Sequence, residues 1–302
     1  MANEQALLLV DGFNLLSRGY FATSYNRPIE KLERNDEGLY VNGLRVFIQK
    51  LFKLVTDYSI SHCIVTWDVP REEALRRKTF PDYKLTRNEL PEPLIQQYQQ
   101  CVKTLSYIGV EQLKVPPYEA DDIIGAISAK WEAETSGPCY IYSNDKDLFQ
   151  LLSSRTTQIV AKKQTEVLFD EASFKASYGL SPTQWVDVKA LVGDTSDNIP
   201  GCPGIGEKTA LPLIAAYGSI ESLYQQIDTI QPPLKRAQKK LLAGQASTQL
   251  SKKLSAIICD IPELRHYSIN DAVLSLNRGE VDKELSRLAI RVKLADELAF
   301  IS

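Results

Sequence analysis

Three short apolar runs each lead to an aspartate, and this repeated pattern constrains the fold more than any other feature of the chain. ALLLV (6–10) runs into Asp11, HCIVTW (62–67) into Asp68, and PCYIYS (138–143) is separated from Asp145 by one residue. Runs apolar on both faces read as buried strands of a parallel sheet. Around them the apolar residues switch to helical spacing, as in Leu44, Phe47, Ile48, Leu51 and Val55, then Leu94, Ile95, Tyr98, Cys101, Val102 and Leu105, then Ile123, Ile124, Ile127 and Trp131. Alternating strands and helices predict an α/β fold with a mostly parallel central sheet flanked by helices. Weaker strands are expected at TTQIV and EVLF. Ligands of such sheets bind beyond the carboxyl ends of the strands, so the three aspartates are expected at one edge.

Six further acids join them. Glu119 and Asp122 stand one helical turn apart with Asp121 beside them, Asp145 and Asp147 form a DxD pair, and Asp194 and Asp197 lie in GDTSDN. Singly, each has an ordinary use as a cap, a turn residue or a partner of a helix dipole. Gathered at one edge, their mutual repulsion is tolerable only around hard cations. Oxygen-only ligands favour Mg²⁺ or Mn²⁺ over zinc or copper. Two such ions would suit phosphoryl chemistry, activating water and stabilising an in-line displacement. The two histidines and five scattered cysteines, with no CxxC pair, offer neither a zinc site nor a disulfide framework. A haloacid-dehalogenase phosphatase would need an aspartate where Phe13 stands.

A net charge of −3 argues against a nucleic-acid partner only if charge is evenly spread. Setting aside the nine acids as cation ligands leaves +6 on the remainder. REEALRRKTFPDYKLTR (71–87) concentrates Arg71, Arg76, Arg77, Lys78, Lys84 and Arg87 around Phe80 and Tyr83. Cations for a backbone and rings for bases suit a single-stranded nucleic acid. The loop Gly204-Ile205-Gly206 leads into a helix expected from Glu207; because Glu207 separates Gly206 from Lys208, it is not a P-loop. Free N–H groups at that helix start can hold one phosphate without reading sequence. A helix opening at Ser181-Pro182 should end at Gly193.

These motifs resemble the 5′ nuclease family, the flap endonucleases and 5′ to 3′ exonucleases that include the amino-terminal nuclease domain of bacterial repair DNA polymerase. LLLVDGFNLLSR, RRKTFPDYKLTR, YEADDIIGA, SNDKDLFQLL and GDTSDNIPGCPGIGEKTA carry the resemblance, in the family's order. It implies a PIN-like nuclease core over residues 1–180 with a helical arch at about 70–110. A carboxy-terminal helical subdomain would span 181–302, with a helix-three-turn-helix at about 193–225. Asp11, Asp68, Glu119, Asp121, Asp122, Asp145, Asp147, Asp194 and Asp197 fall on the family's metal acids, and Lys84 and Arg87 on the basic pair that meets the scissile phosphate. Arg18 and Arg76 match substrate-facing basic positions, Tyr83 belongs to the same DNA-facing segment, and Gly204, Gly206, Lys208 and Thr209 match the phosphate-binding turn. Thr86, Leu75 and Pro212 depart from the usual asparagine, phenylalanine and lysine.

The implied activity is a structure-specific, Mg²⁺- or Mn²⁺-dependent 5′ nuclease acting on DNA with a 5′ flap, a nick or a single-stranded 5′ end, with K⁺ at the helix-three-turn-helix. A monomer with functional links to polymerase and ligase is expected, with no membrane partner. The absence of a signal-like start places it in the cytoplasm, associated with the nucleoid in a bacterium. A non-catalytic junction binder or a PIN-type ribonuclease are the competing readings.

Overall fold

A computed structural model of the chain describes residues 5–162 and 165–292. In chain order the elements are β1 (Leu7–Asp11), α1 (Gly12–Ser24), α2 (Asn42–Asp57), β2 (His62–Thr66), α3 (Leu75–Thr79), α4 (Glu92–Tyr107), β3 (Glu111–Leu113), α5 (Ala120–Glu134) and β4 (Cys139–Tyr142). They continue with β5 (Thr156–Lys162), β6 (Thr165–Phe169), α6 (Glu171–Tyr178), α7 (Trp185–Val192), α8 (Glu207–Tyr217), α9 (Ile220–Gln225), α10 (Gln238–Ala243), α11 (Gln245–Ser255) and α12 (Arg278–Arg287). The strands form one sheet in the order β3-β2-β1-β4-β5-β6, parallel except for β6, which pairs antiparallel with β5.

The LLLV run is buried on both faces, and alternation divides its side chains between two cores. Leu8 and Val10 join the core under α1, α2 and α4, whereas Leu7 and Leu9 join the one under α5. Burying each such side chain contributes roughly 1.5–3 kcal/mol. The order reverses between β1 and β4, and strands diverging there leave a crevice at their carboxyl ends. Asp11 pairs in register with Thr66 of β2, and Val10 with Tyr142 of β4, so Asp11, Asp68 and Asp145 leave the sheet at the same edge. Gly12 is required there: a Cβ would sit 2.6 Å from the Trp67 ring.

The third core, around Phe174, Trp185, Leu213 and Leu223, joins the residues after β6 and reaches back to Phe149 beside the sheet. The region expected as a helical subdomain divides in space. Ile261, Leu264, Ile269 and Ala272 pack under α5, and Val281, Leu285 and Leu288 pack with α2 and α4. The end of the expected subdomain, 293–302, lies outside the described residues, as does the start of the expected nuclease core, 1–4. The segment expected as an arch is also shorter than 70–110: α4 buries Leu94, Cys101 and Leu105 in the sheet core, leaving residues 71–90 as a strap of one short helix and turns.

Candidate active site

Four carboxylates at this edge, Asp11, Asp68 and Asp145 beyond strands and Asp121 at the start of α5, make no ion pair among the described residues. Asp11 caps α1, accepting from the Asn14 N–H at 3.0 Å and from the Ser143 hydroxyl at 3.1 Å. Burial, then repulsion from Asp68 and Asp145, pushes its carboxyl up to about 7 against those two hydrogen bonds. Asp68 accepts from the Ala120 N–H at 2.9 Å, which ties the end of β2 to the start of α5. Burial raises its pKa although Lys84 pulls it down. Asp121 is raised well above its ordinary value, by burial and then by Asp145, Asp11 and Asp68. Asp145 accepts from the Asp147 N–H at 2.8 Å. Among the described residues, the ion pairs of this edge go to other acids.

Those other acids are held by cations. Arg76 donates through both Nη1 and Nη2 to Asp122 at 2.7 Å, through Nη1 to Glu119 at 2.8 Å, and to the Leu254 and Ala256 carbonyls. Asp122, fully buried, also accepts from the Glu119 and Ile258 N–H groups. Lys84 reaches Glu119 at 2.5 Å, and Arg87 reaches Asp197 at 2.5 Å. Burial raises the Glu119 pKa, but Lys84 and Arg76 overcome it and leave the group below its ordinary value. Lys189 lies 2.7 Å from both Asp147 and Asp194. Asp194 is drawn down to about 2 because hydrogen bonds from Lys189 and Ser196 outweigh burial. Asp147, buried and facing Asp145, rises to about 6 despite Lys189.

Two expectations change here. Arg76 and Tyr83 are turned inward rather than toward a substrate: Tyr83 is buried with Ile199 and Leu254, its hydroxyl donating to Glu119 at 3.1 Å. Asp122 serves as the anchor of Arg76, its oxygens already engaged by four N–H donors. Sequence reasoning could not see either, since the partners of Arg76 are 43 to 180 residues away.

The strap is fastened to the turn after α7. The Lys84 N–H donates to the Asp197 carbonyl at 2.9 Å, and the Thr86 hydroxyl to Asn198 at 2.6 Å. Lys84 itself has φ 55°, a conformation that costs a side-chain-bearing residue energy and persists where surrounding contacts enforce it. Beneath the strap is a cavity of about 510 Å³, walled by Phe13, Val69, Ile95 and Tyr98, with Asp68, Lys84 and Arg87 at its polar side. Arg18 is half-buried on α1 and donates to Asn144 at 2.6 Å.

The GDTSDN turn is closed by reciprocal Asp194 and Ile199 backbone bonds. Gly193, at φ 74°, fits because a Cβ would meet the Ile199 carbonyl at 2.5 Å. Gly206 then caps α8; Gly204, Gly206 and Lys208 are exposed and Thr209 is half-buried. Lys240 donates to the Gly204 carbonyl at 3.0 Å. Pro212 is accommodated inside α8.

Residues 6–179 match the family model described as "5′-3′ exonuclease, N-terminal resolvase-like domain", and residues 180–298 match that described as "5′-3′ exonuclease, C-terminal SAM fold". The chain belongs to the 5′-3′ exonuclease family. A 5′-3′ exonuclease of Halalkalibacterium halodurans is 53% identical over 293 residues, 97% of each chain. DNA polymerase I of Bacillus subtilis is 36% identical over 265 residues, covering 87% of this chain and 29% of the polymerase. A flap endonuclease of bacteriophage T5, solved with DNA and metal ions, shares the fold with a TM-score of 0.63 at 20% identity, over 94% of this chain and 98% of that one.

For a 5′-3′ exonuclease of this family, the fit of divalent ions rests on the acids themselves. Asp11, Asp68, Asp121 and Asp145 are all oxygen donors, and the mutual repulsion felt by Asp11 and Asp121 is the strain that a hard cation relieves. The donor chemistry fits. Among the described residues, no group of three or more acidic, histidine or cysteine side chains is already arranged around a cation position. No helix among those residues is long and apolar enough to cross a membrane.

Proposed function

We propose that this 5′-3′ exonuclease is a structure-specific nuclease that hydrolyses phosphodiester bonds at the 5′ ends of flapped or nicked DNA, using Mg²⁺ or Mn²⁺. The observation that carries this reading is the set of unpaired carboxylates at the sheet's switch point, directly below a strap bearing Lys84 and Arg87. Divalent cations there supply Lewis-acid chemistry, lowering the pKa of water and offsetting charge on the reacting phosphate. Asp68, Asp121 and Asp145, with Asp11 behind them, would hold one ion; Asp147, Asp194 and Asp197 are the candidates for a second.

Lys84 and Arg87 supply the remaining electrostatics. Each now rests on a carboxylate, Glu119 or Asp197, and each can exchange that partner for a phosphate oxygen. Fixed cations beside the reacting phosphate stabilise charge that grows in the transition state. Gly204, Gly206, Lys208 and Thr209 would bind a phosphate of the adjoining duplex, with the turn between α7 and α8 acting as the helix-three-turn-helix. K⁺ at this turn would compete with Lys240 for the Gly204 carbonyl. A cytoplasmic, nucleoid-associated monomer handing nicks to polymerase and ligase is the setting this activity fits.

The test is cleavage of a 5′-flap duplex, with and without Mg²⁺, by the wild type and by Asp145→Asn. Metal-dependent release of 5′ fragments that the variant fails to produce is expected. Equal cutting by both proteins, or cutting that ignores chelation, would refute the reading.

A further inference from the structure

Lys189 is a cation already in place where the family reading puts a second metal. Its side chain is 13% exposed, its ammonium lies 2.7 Å from Asp147 Oδ1 and 2.7 Å from Asp194 Oδ2, and it projects from α7 just ahead of the GDTSDN turn. Among the described residues, Asp11, Asp68, Asp121 and Asp145 make no such ion pair. The ammonium donates a hydrogen bond to Asp194 and sits in ion-pair range of Asp147, so one positive charge is shared by two carboxylates, and a divalent ion entering between them must first expel it.

We propose that Lys189 acts as a built-in substitute for the second divalent cation, so that the protein binds one ion readily at the sheet acids and another only by displacing this ammonium from Asp147 and Asp194. The inference rests on the metal-dependent reading above and makes the two ion positions unequal. It also gives DNA a way to promote loading of the second ion: a phosphate arriving near Asp194 offers Lys189 an alternative partner and frees both carboxylates.

The experiment is a Mn²⁺ titration of the DNA-free protein followed by the electron paramagnetic resonance signal of unbound Mn²⁺, with Lys189→Met and Lys189→Arg alongside the wild type. Thermal melts establish that each variant is folded. The wild type should show one tight and one weak ion, the affinities separated by at least about tenfold, as expected when a bound positive charge opposes the second. Lys189→Met should tighten the weak ion and leave the tight one unchanged, while Lys189→Arg should remain like the wild type. Two ions of equal affinity in the wild type would overturn the proposal even if the methionine variant does not fold. So would a methionine variant whose weak ion is unaltered or weaker. Failure of the wild type to bind any Mn²⁺ would instead refute the metal-dependent reading itself.

Discussion

The acids at the strand ends and the start of α5 and the acids paired with lysine or arginine are close neighbours but are stabilised in opposite ways. Asp11 and Asp121 carry pKa values raised by burial and by neighbouring aspartates, and Asp68 one raised by burial although Lys84 opposes it, whereas Asp194 and Glu119 are pulled down by lysine and arginine neighbours. Asp147 stands at the seam, raised by burial and Asp145 although Lys189 touches it. The difference teaches that the crevice is not a uniform negative pocket. One side is left short of positive charge, and the other already holds its own.

The largest effect that could break this comparison is catalytic. Asp145→Asn should lower flap cleavage by about 10³-fold, the scale expected when a transition-state electrostatic partner is lost; single-turnover rates would measure it. A variant with near-normal rates would remove the sheet acids from the chemistry.

Next comes stability on the compensated side. Arg76→Leu leaves Asp122 and Glu119 buried without their guanidinium and should destabilise the fold by about 3–5 kcal/mol. Urea denaturation would show it, and a loss below about 1 kcal/mol, the range of exposed pairs, would contradict the clamp.

The two sides should also respond oppositely to pH in the metal-free protein. Because the Asp11 pKa is raised from 3.8 to about 7, its folded form holds the proton longer than its unfolded form. That contribution is full below about pH 4 and is lost as pH climbs through about 7. Asp194, lowered to about 2, contributes above about pH 4 and loses its contribution as pH falls through about 2. Denaturation midpoints of wild type and Asp11→Asn between pH 5 and 8 should therefore converge toward acid, with the variant the more stable at pH 8. Saturating Mg²⁺ should flatten the wild-type profile.

The smallest effect concerns the exposed turn. Lys208→Ala should weaken duplex binding a few-fold and reduce the salt slope by about one, without changing metal binding. An unchanged slope would remove Lys208 from the phosphate contact.

Much of this architecture was legible in the sequence because buried parallel strands are written as continuous apolar runs. Asp11, Asp68 and Asp145 could be placed at one edge for that reason, and the ends of α7 and α8 were readable from Gly193 and Gly206. β3 was not, since Glu111–Leu113 is a short, half-buried edge strand without an apolar run. α1 was missed because Asp11-Gly12 reads equally well as a turn, and only the Asn14 hydrogen bond shows the aspartate to be its cap. The inward turn of Arg76 and Tyr83 depends on Leu254 and Ala256, far along the chain, so composition pointed them toward DNA instead. Lys189 is one of two polar residues in the mostly buried helix α7, WVDVKALV, but nothing local in the sequence shows which acids its ammonium meets.

The most direct measurement is anomalous diffraction from crystals soaked at low Mn²⁺ concentration. The first peak is predicted among Asp68, Asp121 and Asp145, with Lys189 still bridging Asp147 and Asp194. A first peak between Asp147 and Asp194, with Lys189 turned away and the sheet acids empty, would contradict it.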